Sequence, residues 1–282
     1  MELTSESMAR VPTVVIQPTK SLFHLELGAL WQYRELLYFL AWRDIKARYA
    51  QTVFGIGWAI IQPLFTMVIV TVIFGKFAKM PSDGLPYPIF AYAAIIPWTY
   101  FAKSVERSGN SLVGEASLVK KVYFPRLILP ISATIAGLLD FIISFVVLLG
   151  MMAWYGFAPD WGTLALPFFL LLVLITALSA SLWLSSMNAR YRDIGYVIPF
   201  LMQVWMYASP VVYPVSIVPK RWQLLYSLNP MTGIIEGFRW ALLKDTRPDF
   251  IIMALSTTAV LFIFFTGLVY FKRTERTVAD IL

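Results

Sequence analysis

Apolar residues run along this chain in long blocks separated by short polar turns, and six blocks reach the length that crosses a bilayer. Crossing about 30 Å of hydrocarbon takes roughly 20 residues at about 1.5 Å each. Residues 53–74, 88–105, 131–154, 164–187, 195–212 and 250–271 qualify. The second is the least regular, because Pro97 interrupts it and polar residues follow from Lys103. Membrane helices tolerate proline where neighbours or a cavity satisfy the freed carbonyl. Ahead of the first block, Trp31, Tyr38, Trp42, Ile45 and Tyr49 recur at helical spacing, with Gln32, Glu35, Arg43, Asp44, Lys46 and Arg48 on much of the other side. That pattern predicts an amphipathic helix over residues 30–50 lying on the membrane surface, or packed on a neighbouring element. Between the fifth and sixth blocks, Trp222, Leu224, Leu225, Ile234, Ile235, Phe238 and Trp240 predict two short helices dipping into the outer leaflet around Asn229-Pro230.

Composition agrees with the pattern. The 282 residues are 59% hydrophobic and 14% charged, with a mean hydropathy of +0.71, which marks an integral membrane protein. The net charge of +7 does not point to nucleic acid, because the cations gather at the ends of apolar runs. Arg43, Lys46 and Arg48 precede the first span; Lys120, Lys121 and Arg126 lie between the second and third; Arg190 and Arg192 between the fourth and fifth; Lys272, Arg273 and Arg276 after the sixth. With six crossings these clusters fall on one face, so both termini are expected in the cytoplasm. Lys220, Arg221, Arg239, Lys244 and Arg247 on the other side are the exception, in a segment that folds back on itself. Glu2, Glu6, Arg10 and Lys20 interrupt the first thirty residues, which do not read as a signal peptide. The chain divides into a cytoplasmic arm (1–29), the surface helix (30–50), one six-span domain (51–272) and a cytoplasmic tail (273–282), with no internal repeat.

Few residues offer chemistry. There is no Cys and His24 is the only histidine, so a transition-metal site is not expected. Asp140 falls inside the third span, where an exposed carboxylate costs about 2.5–3.5 kcal/mol on insertion scales, so it must face protein or water. A packing hydrogen bond or a wet cavity wall is preferred over a proton relay, which needs several titratable groups at that depth. Ala177, Ser181 and Ser185, four apart, would let a helix approach closely. Trp98 with Phe101, and Met202 with Trp205, each share a helix face. They suit core or lipid packing, or a channel wall on which sugar rings slide.

At this point the chain resembles the membrane subunits of ATP-binding-cassette exporters for O-antigen, capsule and teichoic-acid polymers. The residues that carry the resemblance are Arg48-Tyr49 with Gly55, Gly57, Trp58 and Pro63; Ile96-Pro97-Trp98; Lys121 and Tyr123-Phe124-Pro125-Arg126 with Pro130; Arg190-Tyr191-Arg192-Asp193-Ile194; Ser209-Pro210 with Tyr213-Pro214; and Asn229-Pro230-Met231 with Glu236 and Arg239. Phe54 departs from the pattern, where Leu is expected. The resemblance implies a homodimer enclosing one channel for a lipid-linked glycan in the bacterial inner membrane. Two cytoplasmic cassette subunits would bind ATP and Mg, leaving this chain no cofactor. It makes the turn at 117–130 a coupling helix, with Lys120, Lys121, Val122, Tyr123, Phe124, Pro125 and Arg126 seated in the ATPase. It places Arg190, Arg192 and Asp193 at the cytoplasmic entrance, where cations could meet a lipid pyrophosphate. Residues 210–243, with Pro210, Tyr213, Pro214, Asn229, Pro230, Glu236 and Arg239, become outer gate helices.

The chain has no Gly-x-x-x-x-Gly-Lys-Ser/Thr loop, as a subunit powered by a separate motor requires. A membrane glycosyltransferase is the enzymatic alternative, and only Asp83 and Asp160 on the short outer loops speak for it. An ion-coupled lipid or drug transporter is the other, disfavoured by nearly neutral span interiors and the absent repeat.

Overall fold

The computed structural model describes residues 27–50, 52, 54–243 and 249–281. The arm with His24, the start of the first predicted span at Val53, and Lys244 and Arg247 lie outside the described residues, as does the side chain of Arg276. All regular structure among the described residues is helical. Two helices, α1 (Leu27–Gln32) and α2 (Arg34–Tyr49), occupy the segment predicted as one surface helix. Then come α3 (Gly57–Val70), which continues as a π-helical turn through Thr71–Phe77, and the long α4 (Tyr87–Gly114). The short α5 (Ala116–Lys121) leads to α6 (Ile128–Ala136) and α7 (Leu138–Tyr155), followed by α8 (Leu166–Arg190) and α9 (Ile194–Tyr207). The chain closes with α10 (Lys220–Tyr226), α11 (Pro230–Leu243) and α12 (Phe250–Ile281).

Four segments are long and apolar enough to cross a membrane: Gly57–Phe77, Ile128–Tyr155, Trp161–Arg190 and Phe250–Glu275. They coincide with the first, third, fourth and sixth predicted blocks. The third is α6 and α7 joined at Gly137, whose φ of −71° and ψ of −21° keep the direction of the helix. The second block lies inside α4, which runs nine residues past Val105 to Gly114 without breaking at Pro97. Its apolar part sits within protein, every residue from Ile89 to Trp98 being buried, while Lys103, Glu106 and Arg107 further along are half-buried. Two of its hydroxyls are satisfied by α6. Ser108 donates to the Pro130 carbonyl at 3.0 Å, and the Tyr100 hydroxyl donates to the Thr134 carbonyl at 3.1 Å. The fifth block is helical only to Tyr207, so α9 reaches about 21 Å at about 1.5 Å per residue. Beyond it Pro210 has no N–H with which to continue the helix.

Around α4 pack α3, α6, α7, α8, α9 and α11, while α8 packs along α12. Ala177, Ser181 and Ser185 are fully buried on α8, and Ser181 returns its hydroxyl to the Ala177 carbonyl at 2.6 Å, leaving a smooth packing face. α11 approaches α8 so closely that a Cβ on Gly237 would stand 2.1 Å from the Phe169 ring.

Candidate functional site

At one end of the bundle α4 hands over to α6 through α5 and an extended stretch. Phe124 is 4% exposed and belongs to a buried apolar cluster with Leu40, Leu112, Leu127, Leu182 and Phe271, which draws on α2, α4, α8 and α12. Tyr123 points the other way and is 65% exposed, beside exposed Val122, Lys120 and Lys121. The Pro125 carbonyl accepts from Ile128 N to begin α6. Arg126 turns to α12: its backbone N–H donates to Glu275 Oε1 at 3.0 Å, and its guanidinium donates to the Glu275 carbonyl. The predicted coupling residues thus split into an outward strip, 120–123, and an inward anchor, 124–126.

The Arg190, Arg192 and Asp193 turn lies at the same end. Asn188 brings it there, donating through Nδ2 to Gly109 O at 3.0 Å and to Asn110 Oδ1 at 2.9 Å on the last turns of α4. Arg190, Arg192 and Asp193 themselves are exposed, with the Arg190 guanidinium 5.6 Å from the Tyr191 ring centre.

Beside this end is a charged cluster that the linear pattern does not reveal. Asp140 accepts from Arg48 Nη1 at 2.5 Å and from the Tyr49 hydroxyl, and Arg107 approaches the same carboxylate at 3.6 Å. Lys103 Nζ donates to Gln62 Oε1 at 2.7 Å, and Arg43 spans Asp44 at 2.9 Å and Glu115 at 2.5 Å. A cleft of about 430 Å³ opens here, lined by Arg43, Arg48, Arg107, Ser111, Glu115 and Ser132. Burial first, then the bond to Asp140, pushes the Tyr49 phenol up to about 12, so it remains a donor. The hydrogen bond Arg43 donates to Glu115, ahead of burial that opposes it, raises the Arg43 pKa. Asp140 therefore takes the ion-pair form of the packing role, with partners 91 and 92 residues away in sequence. Arg48 and Tyr49 were legible as polar and aromatic positions of the surface helix, but nothing in the linear pattern aimed them at Asp140.

The opposite end gathers the remaining candidates. Trp98 and Phe101 on α4 meet Trp205 on α9, with ring centres 5.4 Å apart for Trp98–Phe101 and 5.2 Å for Phe101–Trp205. Trp98, Phe101 and Met202 are buried, so within the protomer they seal α4 against α9. Trp205 borders a groove of about 470 Å³, shared with Trp222 and Tyr226. Asn229 organises this region with its whole side chain. Its Oδ1 accepts from Trp205 Nε1 at 2.9 Å and Met231 N at 3.1 Å, while Nδ2 donates to Ala208 O at 3.0 Å and Ser209 Oγ at 2.9 Å. It thereby starts α11 at Pro230 and ties it to the end of α9. Tyr213 and Tyr226 share a hydroxyl contact of 3.0 Å, and Pro210 and Pro214 are buried beside them. Arg239 is fully buried with its guanidinium 3.5 Å from the Phe90 ring centre, donating to Phe90 O, Val211 O and Glu236 Oε1.

Residues 35–243 match the ABC-2 type transporter family. The chain belongs to that family. This ABC-2 transporter chain is 28% identical over 250 residues to the O-antigen export system permease protein RfbA of Myxococcus xanthus, covering 87% of this chain and 95% of the relative. It is 26% identical over 253 residues to a Klebsiella pneumoniae protein of the same name, covering 88% and 95%. The polysialic acid transport protein KpsM of Escherichia coli is 23% identical over 240 residues, covering 83% and 91%. The match embraces both ends of the ABC-2 bundle, from α2 through the outward strip on to α11. Among the described residues, no three His, Asp or Glu side chains gather to hold a metal.

Proposed function

We propose that this chain is the membrane subunit of a bacterial inner-membrane exporter. A homodimer of it forms the channel through which a lipid-linked, O-antigen-like polysaccharide passes, and a separate cytoplasmic ATPase subunit supplies the work. The observation that carries the reading is the family match over most of the chain, joined to near full-length relatives named for export of such polymers. The exposed strip Lys120, Lys121, Val122 and Tyr123 supports an ATPase contact, since an exposed aromatic flanked by cations is a good anchor for an acidic groove. Phe124 and Arg126 hold that strip against the bundle. Two further crossings complete a six-span topology, with both termini cytoplasmic. They are α4, whose charged residues Lys103, Glu106 and Arg107 are half-buried, and α9 with the turn after it. Arg190, Arg192 and Asp193 stand near the entrance, and the α10–α11 pair acts as the outer gate.

The test separates contact from folding. Tyr123→Ala together with Lys120→Glu and Lys121→Glu should leave the membrane level of the protein unchanged, release the ATPase subunit on co-purification and abolish surface polymer. Phe124→Ala should instead lower the protein level, since emptying a buried aromatic site costs about 3–5 kcal/mol. Normal surface polymer in the triple variant would refute the assignment.

A further inference from the structure

We propose that α12 is the connecting rod of this transporter, with Glu275 and Ser256 as its two couplings. At one end Glu275 grips the turn that holds the outward strip, taking the Arg126 N–H on its carboxylate while its carbonyl takes the Arg126 guanidinium. At the other end Ser256, fully buried, donates to the Ser227 carbonyl at 2.8 Å and accepts from Gly233 N at 3.1 Å. It so clasps the junction between α10 and α11. A Cβ on Gly233 would stand 2.7 Å from Ser256 Cβ, so the two helices touch without slack. The couplings are 19 residues apart on one unbroken helix, about 28 Å along its axis.

Stiffness is common to this helix and α8, which also has no proline inside it, but only α12 carries both couplings. Sharp helix bends sit at proline, at paired small residues or at π-bulges. α3, α4 and α9 each carry an interior proline, at Pro63, Pro97 and Pro199, and α3 runs into a π-helical turn. α12 has no proline. Its one glycine, Gly267, is pressed against Ser179 O and Trp183 of α8, where a Cβ would find 3.0 Å and 2.9 Å. That glycine serves close packing along α8, not bending. Movement imposed on the coupling turn therefore reaches the outer helices as a displacement of α12 and is not absorbed on the way. Glu275 and Ser256 are positioning residues, since neither needs to touch cargo or nucleotide.

The inference rests on reading the 120–126 turn as the ATPase contact, and its test reads the two separately. The complete complex with its ATPase subunit is assayed for co-purification, ATP hydrolysis and polymer exported per ATP. In Glu275→Ala the ATPase subunit should stay bound and keep hydrolysing ATP, while polymer per ATP falls on the order of tenfold, the scale of a typical coupling free energy. Glu275→Gln, which keeps an acceptor for Arg126 N–H, should restore the ratio, and Ser256→Ala should reproduce the loss from the far end. A misfolded protein would lose binding, hydrolysis and export together and would not be rescued by Gln. Parental polymer per ATP in Glu275→Ala overturns the rod, as does loss of ATPase binding there, which would make Glu275 part of the docking surface alone. Failure of the docking reading itself shows elsewhere, as intact binding and export in the Tyr123 variant.

Discussion

Arg239 illustrates how far a single side chain can depart from its place in the linear pattern. Among the outer-side cations it stood as an exception to the charge rule, yet it is wholly buried, satisfied by two carbonyls, Glu236 and the face of Phe90. A buried guanidinium is tolerable when it is paired and hydrogen-bonded, and then it says nothing about topology. Asn229 was legible as the junction of two short helices, and its bond to Met231 N fits that place. Its other three partners were not. At Gly237 the constraint is steric, because Phe169 is itself 1% exposed and has nowhere to move. Gly237→Ala should destabilise the protein by about 1–3 kcal/mol, the usual penalty for overpacking. A thermal unfolding midpoint in detergent equal to that of the parent would refute this, and Phe169→Leu should relieve the loss if it is found.

Among the helices, α2 shows two kinds of apolar surface. Its aromatic stripe was expected on the membrane or on a neighbour; Tyr38 and Trp42, with Trp31 on α1, are exposed, and Leu40 and Ala41 pack on the body. The helix has two apolar faces, and the periodicity of a single face could not separate them. What fixes its end is the Arg48–Asp140 pair, with Tyr49 beside it and side chains 19% and 16% exposed. Removing one member of a largely buried pair strands the other, at a cost of about 3 kcal/mol. Asp140→Ala should therefore loosen α2 selectively, raising amide exchange across residues 43–49 while α8 stays protected. Equal protection of α2 in both proteins would show that the pair does not hold it. Asp140→Asn keeps an acceptor for Tyr49 and should loosen α2 less.

At the scale of the molecule, the cationic turns that the sequence assigned to one face do meet at one end. Arg126 reaches Glu275, Arg43 reaches Glu115, and Asn188 ties the Arg190 turn to the end of α4. The chain contains no cysteine, so any introduced thiol is the sole reporter of its side. Arg192→Cys should resist a membrane-impermeant maleimide in intact cells, and Lys220→Cys should react. Reaction of Arg192→Cys from outside would invert the proposed topology. The expected motifs were legible as sets, but their division was not. Tyr123 and Phe124 are neighbours in sequence and face opposite ways, because an extended stretch turns successive side chains apart.

Hydrophobic length and the placement of cations are properties of short stretches, so the sequence by itself determined the membrane class, the helical blocks and the turns that carry charge. Family-typical turns were readable for the same reason. The pairing of Asp140 with a helix 92 residues earlier, the burial of Arg239 and the double grip of α12 belong to the tertiary structure alone. A buried polar group must find a partner, but local sequence does not say which one, and packing brings distant partners within reach.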